Sequence, residues 1–479
     1  VGIRNASAML VDFRSMQVVA SVGSAAFFDT AIAGQVDGTR AKRSPGSTLK
    51  PFVYGLAMDQ GLIHPMSMLK DAPKRFAAYT PENFDRGFMG PVFARDALVY
   101  SRNVPAIDLL ARVGHERFHA FLEDGGVADL RAPDHYGLAM VLGGNELTMH
   151  ELVRLYAMLA NDGFVRPLIM RPDDTAKQGH RLLSAEASYL VLDMLRESRR
   201  PDALALEDRR DTPAIAWKTG TSYAYRDAWT VGVFGPYVLA VWVGNFDGAS
   251  NPALVGRTAA APLFFEIADA LRTQQAMNPL PSRPEPHLNL IQVDVCASTG
   301  DLPGRHCPET RPSWFIPGIS PIRVSDVHRA IRIDNRTGER ACQTDIEETH
   351  EAVYEFWSSD VLQLFQKAGV ARRQPPPWAA GCSLDVLAAS GAPPTITAPT
   401  AHLEYQLPLT GTQHERFALQ ATADADVQWL YWFANDRFIA KAPRDETVFW
   451  RPTPGHYQML VVDDLGRSDT TSLQIASVQ

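Results

Sequence analysis

Three short groups of residues in this chain carry the side chains that acyl transfer at a serine requires. Ser47-Thr48-Leu49-Lys50 sets a hydroxyl and an amine three residues apart. Ser101-Arg102-Asn103 adds a second hydroxyl and a carboxamide, and Lys218-Thr219-Gly220-Thr221-Ser222 adds a second amine flanked by hydroxyls. A serine hydroxyl is a poor nucleophile at neutral pH and needs a base within hydrogen-bond reach. A lysine serves only when burial or a neighbouring cation lowers its pKa. In that scheme Ser47 is the nucleophile and Lys50 its base. Lys218 is the neighbouring cation, Ser101 a hydroxyl relay, and Asn103 the group that holds Lys50 and meets a substrate amide. Thr219, Gly220 and Thr221 suit a substrate carboxylate beside Lys218. The N–H groups of Ser47 and Thr221 are the candidate oxyanion hole. Gly220 leaves a gap for another backbone, and an extended peptide can lie along this segment as an added strand. This chemistry calls for no metal and no cofactor.

These residues need elements to hold them. Ser-x-x-Lys alone is a weak signal, with about one or two accidental matches expected in a chain of this length. Two occur, Ser47–Lys50 and Ser67–Lys70. Ser47 follows Pro45-Gly46 and heads an amphipathic helix through Leu49, Phe52, Val53 and Leu56, closed by Gly61. Its position at the positive helix end favours developing negative charge, and residues three apart share a helix face. Pro51 falls at the end of the first turn. Ser67, confined between Pro65 and Pro73, reads as a surface connection. Pro105 opens a second helix that ends at Gly114. Thr148-Met149-His150-Glu151 reads as a capping box for a third. Ala8–Val22 reads as a strand pair, and Ala214–Ala224, Ala228–Phe234 and Tyr237–Gly244 as three strands, with a helix at Ala259–Leu271 to pack on them. The pattern predicts an α+β domain over residues 1–275. Pro279, Pro281, Pro284 and Pro286 mark a linker. Residues 276–392 read as a connector, with a helix near Ser359–Ala368 and a break at Pro375-Pro376-Pro377. From 393 to 479 the pattern is all β and predicts a small immunoglobulin-type sandwich.

Composition narrows the function classes. Forty-six basic against 54 acidic residues leave a net charge of −8 and no basic footprint for nucleic acid. No apolar run reaches membrane-spanning length, and no secretory signal opens the sequence. The early strand pair suggests a piece trimmed upstream. Cys296, Cys307, Cys342 and Cys382 are even in number and permit two disulfides in an oxidising compartment, with free buried thiols the alternative. Cys296 and Cys307 flank a turn-rich segment and are the easier pair. Zinc is not expected, because paired Cys-x-x-Cys and His-x-His spacings are missing.

The three motifs resemble the transpeptidase domain of penicillin-binding proteins, a set also found in class A β-lactamases. Tyr79-Thr80-Pro81-Glu82-Asn83, Gly143-Gly144-Asn145 and Asp227-Ala228-Trp229 are similar to that family as well. Trp314–Gly318, Ser320-Pro321-Ile322, Thr337–Ala341 and the terminal β region resemble the bifunctional 1C type. The resemblance implies a serine β-lactamase-like fold, periplasmic location, and a peptidoglycan stem peptide ending in D-Ala-D-Ala as donor. β-Lactams would acylate the same serine. It implies a membrane anchor and a glycosyltransferase domain upstream, neither of which is present here. It allows a bacterial α2-macroglobulin or other cell-wall protein as partner. Three alternatives stay open: a D,D-carboxypeptidase using water, a penicillin-binding sensor or wall-binding scaffold without turnover, and a β-lactamase. The last needs a deacylating Glu-x-x-Leu-Asn between the second and third motifs, whereas Glu285–Asn289 follows the third.

Overall fold

The computed structural model describes residues 2–74, 76, 79–171, 173–174, 178–201, 215–274, 277–278, 280–281, 283–342, 348–380, 382, 391–400, 404–408 and 416–478. Ala214 and Pro279, assigned above to a strand and a linker, lie outside these residues. Two compact units divide the chain. The first comprises Val1–Phe88, Val92–Val295 and Arg311–Arg323, and the second Met89–Pro91, Cys296–Thr310 and Val324–Gln479. Residues of the expected connector fall in both.

The first unit is built on a five-stranded sheet in the order Gln17–Val22, Asn5–Asp12, Tyr237–Gly244, Asp227–Phe234 and Ala216–Thr221. Its neighbours all pair antiparallel. Successive side chains of a strand face opposite sides, and Tyr237–Gly244 uses both. Val238 and Ala240 join the helices Lys50–Asp59, Met149–Ala160 and Ala185–Arg196 in one core. Leu239 and Val241 join Phe264 and Phe265 of helix Ala261–Gln274 in a second. With apolar layers on both faces, the strands Asp227–Phe234 and Tyr237–Gly244 are buried along their whole length.

Several local expectations shift by a few residues, each for a physical reason. Ser47 lies on a 3₁₀ turn, Gly46–Leu49, and the α-helix begins only at Lys50, with Pro51 in its first turn where a missing N–H costs least. That helix is not amphipathic. Lys50 through Met58 are all buried, as suits a helix enclosed by others rather than one on a surface. The second helix starts at Asn103, two residues before Pro105. The third motif's strand stops at Thr221, because Ala224 and Tyr225 take left-handed backbone angles, φ 59° and 54°, and turn the chain. The capping box is present: Thr148 Oγ1 accepts from the Glu151 N–H at 3.2 Å and Glu151 Oε2 from the Thr148 N–H at 2.7 Å.

The second unit holds both disulfides, Cys296–Cys307 and Cys342–Cys382. It also holds the hairpin His328–Asp334 with Thr349–Glu355 and the helix Ser359–Lys367. Its last part is a sandwich. A three-stranded sheet (Thr395–Ala398, Phe417–Thr422, Val448–Trp450) faces a five-stranded one ordered Glu404–Pro408, Ser468–Val478, Gly455–Asp463, Trp429–Ala434, Arg437–Pro443. Leu419 and Val448 from one sheet share a core with Trp432, Met459, Val461 and Leu473 from the other.

Candidate active site

The Ser47 turn is held from three sides. Tyr156 donates its hydroxyl to the Thr48 carbonyl at 2.8 Å, Trp229 donates Nε1–H to the Ser44 carbonyl at 2.9 Å, and Ser44 donates to the Gly143 carbonyl at 2.7 Å. The turn lies directly on the edge strand Ala216–Thr221. A Cβ on Gly46, whose φ is +55°, would stand 2.6–2.8 Å from the Thr221 backbone, and one on Gly220 would stand 2.1 Å from the Pro45 carbonyl oxygen. Gly46 and Gly220 thus bring the Ser47 and Thr221 peptides side by side. The gap beside Gly220, expected to admit a substrate backbone, is filled by the protein's own Pro45–Thr48 segment.

Ser101 sits at the corner between helices Ala94–Val99 and Asn103–Val113. The Ser101 N–H donates to Leu98 O at 3.0 Å and the Arg102 N–H to Ala97 O at 2.9 Å. These are the two bonds of a Schellman helix end, whose left-handed position usually goes to glycine. Ser101 takes it with φ 57°, a conformation costly for a residue bearing a Cβ. The capping turn and the second motif are therefore the same structure, and it sets the Ser101 hydroxyl between two lysines.

Lys50 has no solvent exposure. Its Nζ donates to Ser101 O at 2.5 Å and Asn103 Oδ1 at 2.6 Å, and lies 3.4 Å from Ser101 Oγ. Burial, then the charges of Lys218 and Arg102, hold its pKa well below the ordinary lysine value. A neutral amine has two hydrogens, which those two acceptors use, and one lone pair, which stays available for a proton. Lys218 donates to Ser101 Oγ at 2.7 Å and to Thr219 O at 3.1 Å, and burial brings its pKa down to about 7.

Residues that the sequence reading left without a role support this group. Buried Arg102, the middle residue of the second motif, pairs with Asp71 at 2.7 Å and Asp85 at 2.8 Å. Asp71 accepts from Asn83 Nδ2, and Asn83 Oδ1 accepts the Asn103 N–H, both at 2.7 Å. Asn103 also donates Nδ2–H to the Glu82 carbonyl at 2.7 Å, so one of its amide hydrogens remains for a ligand. Motif spacing carries no trace of Asp71. Asn83 closes the Tyr79–Asn83 segment already singled out by resemblance.

Above these groups opens a cleft of about 610 Å³, lined by Ser47, Ser101, Asn103, Thr219 and Thr221, with Phe84, Tyr100, Tyr223 and Tyr225 among its other walls. Thr221 Oγ1 accepts the Gly256 N–H at 2.9 Å, which leaves its own proton to donate. Gly220, Lys50 and Lys218 lie beneath the cleft rather than on its wall. The second Ser-x-x-Lys match is elsewhere: Ser67 Oγ accepts the His64 N–H at 2.9 Å, and Lys70 is exposed on the strand Met68–Asp71.

Comparison with known proteins gives a consistent result. Residues 6–255 match the penicillin binding protein transpeptidase domain, 286–330 the penicillin-binding protein 1A C-terminal domain, and 384–475 the penicillin-binding protein C-terminus family. The chain is 32% identical to penicillin-binding protein 1C of Escherichia coli over 98% of its own length and 61% of that protein's. It is 35% identical to penicillin-binding protein 1F of Bacillus subtilis over 43% of its own length and 30% of that protein's. It therefore spans less than two thirds of either relative. Its fold is similar to the crystal structure of penicillin-binding protein 1A from Haemophilus influenzae, with a TM-score of 0.56 and 20% identity over 67% of this chain and 54% of that one.

Proposed function

Because the chain belongs to the penicillin-binding protein transpeptidase family, we propose that it is a peptidoglycan D,D-transpeptidase working at the bacterial cell wall, in the periplasm, with Ser47 as its acyl carrier. The observation that carries this reading is Lys50, fully buried, with its amine within hydrogen-bond reach of Ser101 and Asn103.

Ser47 Oγ attacks the penultimate D-Ala carbonyl of a stem peptide, and its proton passes to the Lys50 lone pair. The oxyanion is met by the Ser47 and Thr221 N–H groups, whose peptides the two glycines bring together. Thr219 and Thr221 hydroxyls, with Lys218 behind them, receive the terminal carboxylate. The departing D-Ala amine takes its proton through the Ser101 hydroxyl, which touches both lysines. An amine from a neighbouring stem then attacks the Ser47 ester by the reverse proton path. A β-lactam, acylating the same serine, leaves more slowly.

Mass spectrometry after incubation with a penicillin should show the drug's mass on Ser47, and Ser47→Ala should lose it. An adduct that persists in that variant rejects the nucleophile. Products from a synthetic stem peptide, with and without an amine acceptor, then separate the outcomes. A cross-linked dimer supports transpeptidation, free tetrapeptide alone indicates a carboxypeptidase, and acylation by penicillin with no peptide product indicates a sensor.

A further inference from the structure

We propose that the second unit carries a redox-gated zinc site formed by Cys296, Cys307 and His328. The two cysteines flank a turn-rich loop, and the imidazole arrives from a strand that begins 21 residues after Cys307. One ligand atom from each residue lies within 4.8 Å of the other two. Cys296 Sγ and His328 Nδ1 are 3.9 Å apart. For Zn–S bonds of ~2.3 Å and Zn–N bonds of ~2.0 Å, two ligands of a tetrahedral ion stand roughly 3.5 Å apart. The sulfur and nitrogen are therefore close to their bound separation.

A second observation points to the same occupant. The His328 side chain is only 5% exposed, yet among the described residues its Nε2 has no hydrogen-bond partner, and Glu355 Oε1 is 3.9 Å away. A metal on Nδ1 would fix the imidazole proton on Nε2, facing that carboxylate, the arrangement by which zinc-bound histidines are commonly oriented. Glu355 is itself held by Trp357 Nε1–H at 2.8 Å. Two thiolates also neutralise the ion, which suits a site where Cys296 is fully buried and Cys307 half-buried. Thiolate and imidazole ligands favour zinc over magnesium or calcium.

The site exists only when the disulfide is open. A dithiol reductant supplies two electrons and two protons, is itself oxidised to a disulfide, and leaves two thiols. Zinc then binds the two sulfurs and the neutral imidazole, and two thiol protons pass to solvent. Water takes the fourth position. The spacing rules used to dismiss zinc do not see this site, because its third ligand is joined to the loop only by folding.

The test uses the full chain with Cys342→Ser and Cys382→Ser, so that only one cysteine pair responds. After reduction, removal of reductant and gel filtration with zinc, one equivalent should be retained. The oxidised protein should retain none. Cobalt in place of zinc should give thiolate charge-transfer and tetrahedral ligand-field bands. His328→Gln should lose stoichiometric retention while circular dichroism and penicillin labelling are unchanged, and Glu355→Gln should weaken binding ~10–100-fold. No retention by the reduced protein, or equal retention by His328→Gln, overturns the proposal.

Discussion

At the scale of single residues, two buried lysines set the pH behaviour. Burial and neighbouring cations hold Lys50 well below its ordinary pKa, and burial brings Lys218 down to about 7. The scheme needs Lys50 neutral and Lys218 charged, so acylation by a penicillin should fall as pH rises through about 7, where Lys218 loses its proton. The two apparent values belong to the pair. Acylation rates measured from pH 5 to 9 check this, and a profile flat from pH 7 to 9 would contradict it. Lys50→Ala should slow acylation by roughly two to four orders of magnitude, the usual worth of a general base. Lys218 also carries a stability penalty. Bringing a lysine from 10.5 to about 7 disfavours its buried charged form by ~5 kcal/mol. Below pH 7 that penalty is fully present, and it fades as pH rises toward 10.5, where the unfolded chain loses the proton too. Lys218→Met should therefore raise urea stability most at pH 6 and least near pH 10, while acylation is lost. A variant less stable at pH 6 would refute that sign.

At the scale of elements, the site is a meeting of a turn, a helix corner and a sheet edge. Gly220→Ala pushes a Cβ to 2.1 Å from the Pro45 carbonyl oxygen, and backbone cannot swing aside as a side chain does. We expect acylation to fall at least ~10²-fold, the scale of losing one oxyanion-hole donor, with the chain still folded because the contact lies at an edge strand. Ser101→Gly should do the opposite to stability. It places at the left-handed corner the residue that suits it, for a gain of about 1 kcal/mol, and removes the hydroxyl between the lysines. Thermal unfolding alongside penicillin labelling reads both. Lower stability in Ser101→Gly would mean that the left-handed angle carries no strain.

At the scale of the whole molecule, chemistry and cross-links are separated. Every catalytic candidate lies in the first unit and both disulfides in the second. Chain-entropy reasoning gives about 3 kcal/mol for the Cys296–Cys307 closure and about 4 kcal/mol for the longer Cys342–Cys382 one. Reduction without metal should lower the second unit's unfolding temperature and leave penicillin labelling of Ser47 intact. Labelling lost on reduction would show that the disulfides also support the site.

Much of this protein was legible before folding, because it depends on residue type and local period. The Ser47, Ser101 and Lys218 groups suggest the proposed serine–lysine mechanism through chemistry that few other residue sets supply. Tyr237–Gly244 announces a strand, and Thr148 with Glu151 a helix start, because both patterns are read over a few neighbouring residues. What only the tertiary structure decided lies between segments distant in sequence. Gly220 could be read as a gap, but Pro45, 175 residues earlier, is what fills it. Ser101 gave no sign of its left-handed angle, which follows from how the Ala94–Val99 helix must end to reach Lys50. Asp71 belongs to no motif, and Asn83 is marked by resemblance alone. Their roles come from burial, which strengthens each polar contact and makes each unpaired group costly, and burial is a property of the folded chain alone.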